Sequence, residues 1–196
     1  MRIFFKTFLV LTLISTHALA TDRKKASSVY ALISTSLGNI EIKLFHDKAP
    51  KTVNNFIGLA VGHKEFVDVE IRKKVKRPFY NGLTFHRVVP NFIVQAGDPL
   101  GNGTGTPGYT IDQEIHPDLY HDRPGVVAMA AAKPGKNGSQ FYITLKDLPE
   151  LDKNFTIFGQ VTSGFPVLKA MANVKRDLSD RPITPIKINS VKIIYG

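Results

Sequence analysis

Phe85-His86-Arg87-Val88-Val89-Pro90-Asn91-Phe92-Ile93-Val94-Gln95-Ala96-Gly97-Asp98 is the stretch from which the rest of the chain is best read. Two β-favouring runs flank Pro90, which cannot donate to a ladder and so interrupts it. Arg87 stands among apolar strand residues, where an arginine is rarely buried without a partner. Strict alternation puts Ile93 and Gln95 on one face and Phe92 and Val94 on the other. One side of this unit therefore offers an amide beside apolar side chains.

Moving outward, Tyr80-Asn81-Gly82-Leu83 is a turn by its Asn-Gly pair. Before it, residues 63–76 are charged and run into Arg72-Lys73-Lys74-Val75-Lys76-Arg77, which reads as an exposed loop or hairpin. After Asp98, residues 100–108 form a glycine-rich loop and residues 109–111 a short strand. Val126 to Ala131 is a small-residue strand, residues 133–138 a loop, and Gln140 to Leu145 another strand. In that strand Gln140 and Tyr142 share one face, and Phe141 and Ile143 the other. Phe155 to Val161 and Ile186 to Tyr195 complete the strands, the last with a bulge at Asn189-Ser190 where its apolar phase shifts. Val29 to Phe45 reads as a hairpin with a turn at Leu37-Gly38-Asn39. Two helices are expected. One opens at Ala49-Pro50, carries Val53, Phe56, Ile57 and Ala60 on one stripe and stops at Gly62. The other covers Phe165 to Val174. Many short strands with two isolated helices predict a mostly β domain, with barrel and sandwich both open on this pattern alone.

The chain has 196 residues, 43% of them apolar and 21% charged, which fits a single globular domain. It has no cysteine, so disulfides, thiolate metal sites and cysteine nucleophiles are excluded. Its formal net charge is +10. The start is basic, with Arg2 and Lys6. An apolar run over residues 8–14 and then Ala18-Leu19-Ala20 follow, the pattern of a secretory signal peptide, residues 1–20, cleaved after Ala20. That run is too short to span a membrane. Residues 21–28 read as a polar lead-in, and residues 29–196 as the folded domain. Export to an oxidising space suits a chain without thiols. A bacterial periplasm is the expected address, with no membrane span after cleavage.

Several motifs carry less than they suggest. Gly103-Thr104-Gly105-Thr106-Pro107-Gly108 matches a dinucleotide fingerprint in letters, but no helix is expected to follow it. Ser139 lacks the nucleophile-elbow context of serine hydrolases. His116 and His121 bracket Asp118 in loop composition with Pro117, and read as surface histidines rather than metal ligands. The Arg72 to Arg77 run lacks interleaved aromatics, and no nucleic-acid partner is expected. Nothing in the sequence requires a cofactor or a metal.

The remaining residues resemble a family. Phe85-His86-Arg87-Val88-Val89-Pro90, Phe92, Gln95 and Gly97-Asp98 are similar to the signature of cyclophilin-type peptidyl-prolyl cis-trans isomerases. Further matches are Ala49-Pro50-Lys51-Thr52-Val53, Asn55-Phe56, Gly101, Gly103-Thr104-Gly105, Met129-Ala130, Asn137-Gly138-Ser139-Gln140-Phe141, Leu151-Asp152 and Phe158-Gly159. The likeness runs from about Val29 to Tyr195, and the extended region before Leu83 is similar to bacterial members. It implies a closed eight-stranded antiparallel β-barrel capped by two α-helices. It implies Arg87 as the catalytic arginine, and Phe92, Ile93, Tyr142, Leu151 and Phe158 around a proline pocket. Gln95 and Gln140, with main-chain groups of Ala130 and Ala131, would contact the peptide backbone. Phe155 stands in place of a common histidine.

Three departures stand out. Tyr142 replaces the usual phenylalanine, so a hydroxyl enters or borders the pocket. Ala131 replaces a common asparagine. Glu150 stands where many members carry a tryptophan that supports tight cyclosporin binding, so at most weak cyclosporin binding is implied. The resemblance implies an isomerase acting on Xaa-Pro bonds; with the signal-like start its clients would be exported, folding polypeptides, and nothing in the sequence demands more than a monomer. The alternatives are a non-catalytic proline-peptide binding module or chaperone, and an unrelated hydrolase built on Ser139.

Overall fold

A computed structural model describes residues 28–196. The expected signal peptide and nearly all of the lead-in lie outside the described residues. β1 (Val29–Thr35) and β2 (Gly38–Leu44) form the N-terminal hairpin. The buried residues of each alternate strictly, because one face meets the core and the other meets solvent. The Thr35 hydroxyl donates to Gly38 O at 2.7 Å and accepts from the Leu37 N–H at 3.1 Å, which closes the turn.

α1 (Pro50–Val61) begins with Pro at its first turn and ends at Gly62 in the left-handed region, as the sequence predicts. Its own N-cap, Ala49, supplies no side-chain bond. Glu114 does so from a distant loop, accepting the Lys51 N–H at 3.1 Å, the Thr52 N–H at 2.6 Å and the Thr52 hydroxyl at 2.7 Å. A carboxylate there satisfies orphan N–H groups and suits the positive end of the helix.

The charged segment is a short hairpin, β3 (Phe66–Val67) with β4 (Lys74–Val75). Then follow β5 (Phe85–Val89), β6 (Ile93–Ala96), β7 (Ile111–Asp112), β8 (Val126–Lys133), β9 (Lys136–Thr144), β10 (Ile157–Ser163), α2 (Phe165–Ala172) and β11 (Ile188–Tyr195). Residues 133–138, expected as a loop, instead carry the β8–β9 ladder to its tip at Lys133–Lys136, because Pro134-Gly135 makes a tight turn. The bulge expected near Asn189-Ser190 is present: β1–β11 pairing jumps from Ser34–Ser190 to Thr35–Ile188.

The main sheet runs β11-β1-β2-β10-β8-β9-β6-β5, antiparallel at every step, with β7 added on β9. It curls into a half-barrel. The Thr84–Lys187 bridge joins the segments leading into β5 and β11, with Phe85 N–H to Ile186 O at 2.9 Å and Ile188 N–H to Leu83 O at 2.7 Å. Among the described residues no ladder pairs β5 with β11. The concave side is filled by Phe56 from α1, Tyr80, Phe85, Phe141 and Phe158, all fully buried, with Leu168 and Met171 of α2 in the same core. Phe56 lies 5.0–5.7 Å from the rings of Tyr80, Phe141 and Phe158. No helix among the described residues is long and apolar enough to cross a membrane.

Candidate functional site

Arg87 owes its direction to a bulge. β5 and β6 pair Phe85 with Ala96, then Arg87 with Gln95, so His86 is an extra residue in β5. In a regular strand Phe85 and Arg87 would share a face. With the bulge, Phe85 enters the core while Arg87 faces outward, its side chain 42% exposed. Its Nε lies 3.9 Å from Oδ2 of Asp180, whose carbonyl also accepts the Val88 N–H at 2.8 Å. His86 is held under this strand with neither ring nitrogen hydrogen-bonded. Burial pushes its pKa below the ordinary value, against the pull of the Asp98 charge.

From Arg87 a row crosses the sheet: Gln95 on β6, Tyr142 on β9, Ala128 on β8 and Ile157 on β10 are successive cross-strand partners. Directly paired residues point to one face, so these side chains share the convex side. There a second apolar cluster gathers. Ile93, Ala128, Tyr142, Leu148 and Ile157 are buried, and Phe92, Ala130, Leu151 and Phe155 pack over them half-exposed. Leu151 rides on a 3-10 turn (Pro149–Leu151), and Glu150 beside it is exposed. The result is an open, largely aromatic surface beside one guanidinium.

Two expectations change here. Phe158 is not on this surface. Ile157 pairs with Ala128 on the outer side, so ordinary alternation turns Phe158 into the core, 5.4 Å from Phe56, before the ladder slips to Val127–Gly159. Ile157 occupies the outer side in its place. Phe92, expected opposite Ile93, packs on the same cluster, because it precedes β6 in a turn where Asn91 has φ 54°. Ile157, Ala128 and Leu148 carried no signal in the sequence. Their placement follows from pairing partners far along the chain.

The two glutamines are tied together. Gln95 Nε2 donates to Gln140 Oε1 at 2.9 Å, and Gln140 Nε2 donates to the carbonyls of Gly105 at 2.9 Å and Gly103 at 3.1 Å. The glycine-rich run is thus one wall of the site. Asp98 organises it by accepting the N–H groups of Leu100 at 2.8 Å, Asn102 at 3.0 Å and Gly103. Only glycine fits at 105, where a Cβ would lie 1.9 Å from Asp98 Oδ1. Between this wall and Ala130–Ala132 lies a cleft of about 330 Å³, with Gln140 at its edge. It exists because β9 bulges: pairing passes from Met129–Phe141 to Ala131–Asn137. Ala131 is exposed at that widening, and Ala130 packs against the apolar cluster.

Ser139 is fully buried, and its hydroxyl donates to Gly97 O at 2.7 Å, a structural bond that leaves no exposed nucleophile. His116 lies at the surface, 3.9 Å from Asp118. His121, expected there too, is 0% exposed. Its Nδ1 lies 3.0 Å from Asp152 Oδ1 and its Nε2 3.0 Å from the Tyr142 hydroxyl. The Tyr142 hydroxyl therefore sits under the surface and not in the pocket. Burial, with the Asp152 charge adding to it, pushes the phenol pKa well above its usual value. No group of three or more metal-ligating side chains occurs among the described residues.

Comparison with known proteins agrees with this geometry. Residues 30–193 match the family described as cyclophilin type peptidyl-prolyl cis-trans isomerase/CLD. Peptidyl-prolyl cis-trans isomerase A of Mycobacterium tuberculosis is 45% identical over 165 residues, 83% of this chain and 91% of that protein. Peptidyl-prolyl cis-trans isomerase B of Streptomyces anulatus is 44% identical over 171 residues, 86% of this chain and 98% of that protein. A Cryptosporidium parvum cyclophilin-type isomerase, solved in the presence of the dipeptide Ala-Pro, superposes with a TM-score of 0.74 at 34% identity, covering 85% of this chain and 99% of its own. The signature around Arg87, the curled antiparallel sheet and this shared extent agree: the chain belongs to the cyclophilin-type peptidyl-prolyl cis-trans isomerases and catalyses prolyl cis-trans isomerisation.

Proposed function

We propose that the convex surface beside Arg87 is where the Xaa-Pro bond turns, and that Arg87 drives the rotation. The barrier, about 18–20 kcal/mol, comes from amide resonance, which is lost when the bond is twisted. The imide nitrogen then regains a lone pair. A donor aimed at that nitrogen is stronger in the twisted state than in either planar one, which is the condition for catalysis by differential binding. A guanidinium keeps its charge at ordinary pH and has several donors to offer.

The aromatic surface of Phe92, Ile93, Tyr142, Leu151 and Phe155 grips the pyrrolidine ring while the preceding carbonyl swings. Gln95, Gln140 and the main chain at Ala130 and Ala131 take the peptide backbone. A 10⁵-fold acceleration needs about 7 kcal/mol. One preorganised donor supplies about 3 kcal/mol of that, by analogy with oxyanion-hole donors. Ring burial and backbone contacts supply the rest. No covalent step enters this scheme.

The observation that carries this reading is the bulge at His86, which turns one arginine onto the apolar surface across from Gln95. The substrates are proline-containing segments of folding polypeptides. The Ala-Pro dipeptide present with the Cryptosporidium relative supports that class. The signal-like start supports export, with periplasmic clients. Exposed Glu150 supports only weak cyclosporin binding.

A chymotrypsin-coupled assay on an Ala-Pro-Phe tetrapeptide tests the site. Arg87→Ala is expected to lose about 100-fold in kcat/KM with an unchanged melting temperature, since the side chain is half-exposed. Full activity in that variant would remove Arg87 from the mechanism. Retained peptide binding without any wild-type turnover would favour the binding-module alternative.

A further inference from the structure

Tyr142 and Leu151 face the proposed ring pocket from different elements, β9 and the 3-10 turn, and one residue ties both from behind. His121 is 0% exposed and touches each element by its own set of bonds. Its Nε2 meets the Tyr142 hydroxyl at 3.0 Å, and the two rings stack at 6.0 Å with 15° between planes. Its Nδ1 and its backbone N–H both reach Asp152 Oδ1, at 3.0 and 2.7 Å, and Asp152 directly follows Leu151. Its carbonyl accepts the Leu148 N–H at 2.7 Å, just before the turn. The Tyr142 ring is then closed from the side by Phe155, edge-on at 5.7 Å.

We infer that His121 is a positioning residue for the isomerase, holding the Tyr142 ring and the Leu151 turn at a fixed separation by bridging the Tyr142 hydroxyl to the Asp152 carboxylate. The inference rests on the reading of the convex cluster as the proline site.

The polarity of the bridge follows from its ends. A carboxylate accepts, so in the neutral imidazole Asp152 assigns the proton to Nδ1, and Nε2 accepts from the phenol. The phenol proton is thereby turned away from the pocket. The substrate meets an aromatic face with its polar end occupied, and the buried hydroxyl is not left unpaired. A tyrosine at this position would otherwise cost affinity for an apolar ring. Paired with His121, it adds a fixed point that a phenylalanine lacks. A shift of about 1 Å in a supporting wall is enough to lower a rate substantially, so the tie bears on turnover as well as on stability.

The test separates these roles on the full chain, with the Ala-Pro-Phe tetrapeptide as substrate. His121→Phe removes both side-chain bonds, and Tyr142→Phe removes only the phenol end. Each is expected to lower kcat/KM by about 3- to 10-fold at a temperature well below melting, the size of one hydrogen bond. Coupling through that bond means the double variant falls no further than the weaker single one. His121→Gln, whose amide can still meet the phenol, is expected to recover part of the loss.

In the wild type, the ¹⁵N spectrum of the His121 ring should show the proton fixed on Nδ1, and Tyr142→Phe should shift only the Nε2 resonance. Should His121→Phe fail to fold, the Tyr142→Phe pair of readouts still decides. Additive losses, or an unchanged kcat/KM with only a lower melting temperature, overturn the positioning role. A Tyr142→Ala control tells the two failures apart. If it is impaired while His121 variants are normal, only this inference fails. If it too is normal, the pocket reading fails with it.

Discussion

The two faces of the same three strands are built differently. On β6, β9 and β10 the residues Val94, Phe141 and Phe158 point into the core, and their chain neighbours Ile93, Tyr142 and Ile157 point out. The inner face is a contiguous aromatic packing in which the fully buried Tyr80 phenol is satisfied by Ser139 O at 3.2 Å. The outer face has a buried apolar floor, a half-exposed rim and a polar bridge beneath. Stability and substrate contact are thus separated by one residue along each strand. The inner set can be as tightly packed as sterics allow, whereas the outer set must leave surface uncovered for a ligand.

That contrast can be broken most sharply at Phe158. Phe158→Ala should cost about 3–5 kcal/mol of stability, the usual cost of an aromatic-to-alanine change in a core. The fraction that remains folded should keep its KM. Urea denaturation alongside the isomerase assay measures both, and a raised KM with normal stability would return Phe158 to the pocket. On the outer face Phe92→Ala should do the reverse. Its rim position predicts a loss of about 1.5–3 kcal/mol in transition-state binding, roughly 10- to 100-fold in kcat/KM, with a small change in melting temperature. Equal stability losses at Phe92 and Phe158 would erase the distinction between the faces.

The smallest effect concerns pH. His86 is buried with a lowered pKa, so below the ordinary histidine value, about 6.5, the unfolded chain binds a proton that the folded chain resists. Stability should therefore decline as pH falls from that value through the lowered one. A His86→Phe variant should flatten this acid limb in melting curves taken across that range. An unchanged slope would mean that other groups set it.

Much of this was legible in the chain. The Val29–Leu44 hairpin could be read outright because its buried face alternates without interruption, and α1 because its stripe and its Pro50 and Gly62 ends agree. Arg87, Phe92, Ile93, Gln95, Tyr142, Leu151 and Phe155 gather on the outer face, a grouping that the resemblance implies and periodicity does not. Resemblance and alternation each err once. The resemblance puts Phe158 in the pocket, although alternation from Ile157 turns it inward; alternation sets Phe92 opposite Ile93, whereas the resemblance puts it in the pocket and the turn at Asn91 brings it onto that face. His121 was misread because its neighbours Asp122 and Arg123 are exposed, while its own partners lie 21 and 31 residues further on. A buried polar residue that is satisfied only at long range leaves no trace in its local composition.

The placement of β1 has a consequence for the birth of this chain. Its neighbours in the sheet are β2, two residues away, and β11, which ends at Tyr195. Synthesis proceeds from the N-terminus, so the Val29–Thr35 strand waits with one row of amides and carbonyls unmet until β11 has been made. Any copy that stops short of Ile188 carries that open row permanently, a template to which a foreign strand can add. The final eight residues of β11 guard the oldest strand of the fold.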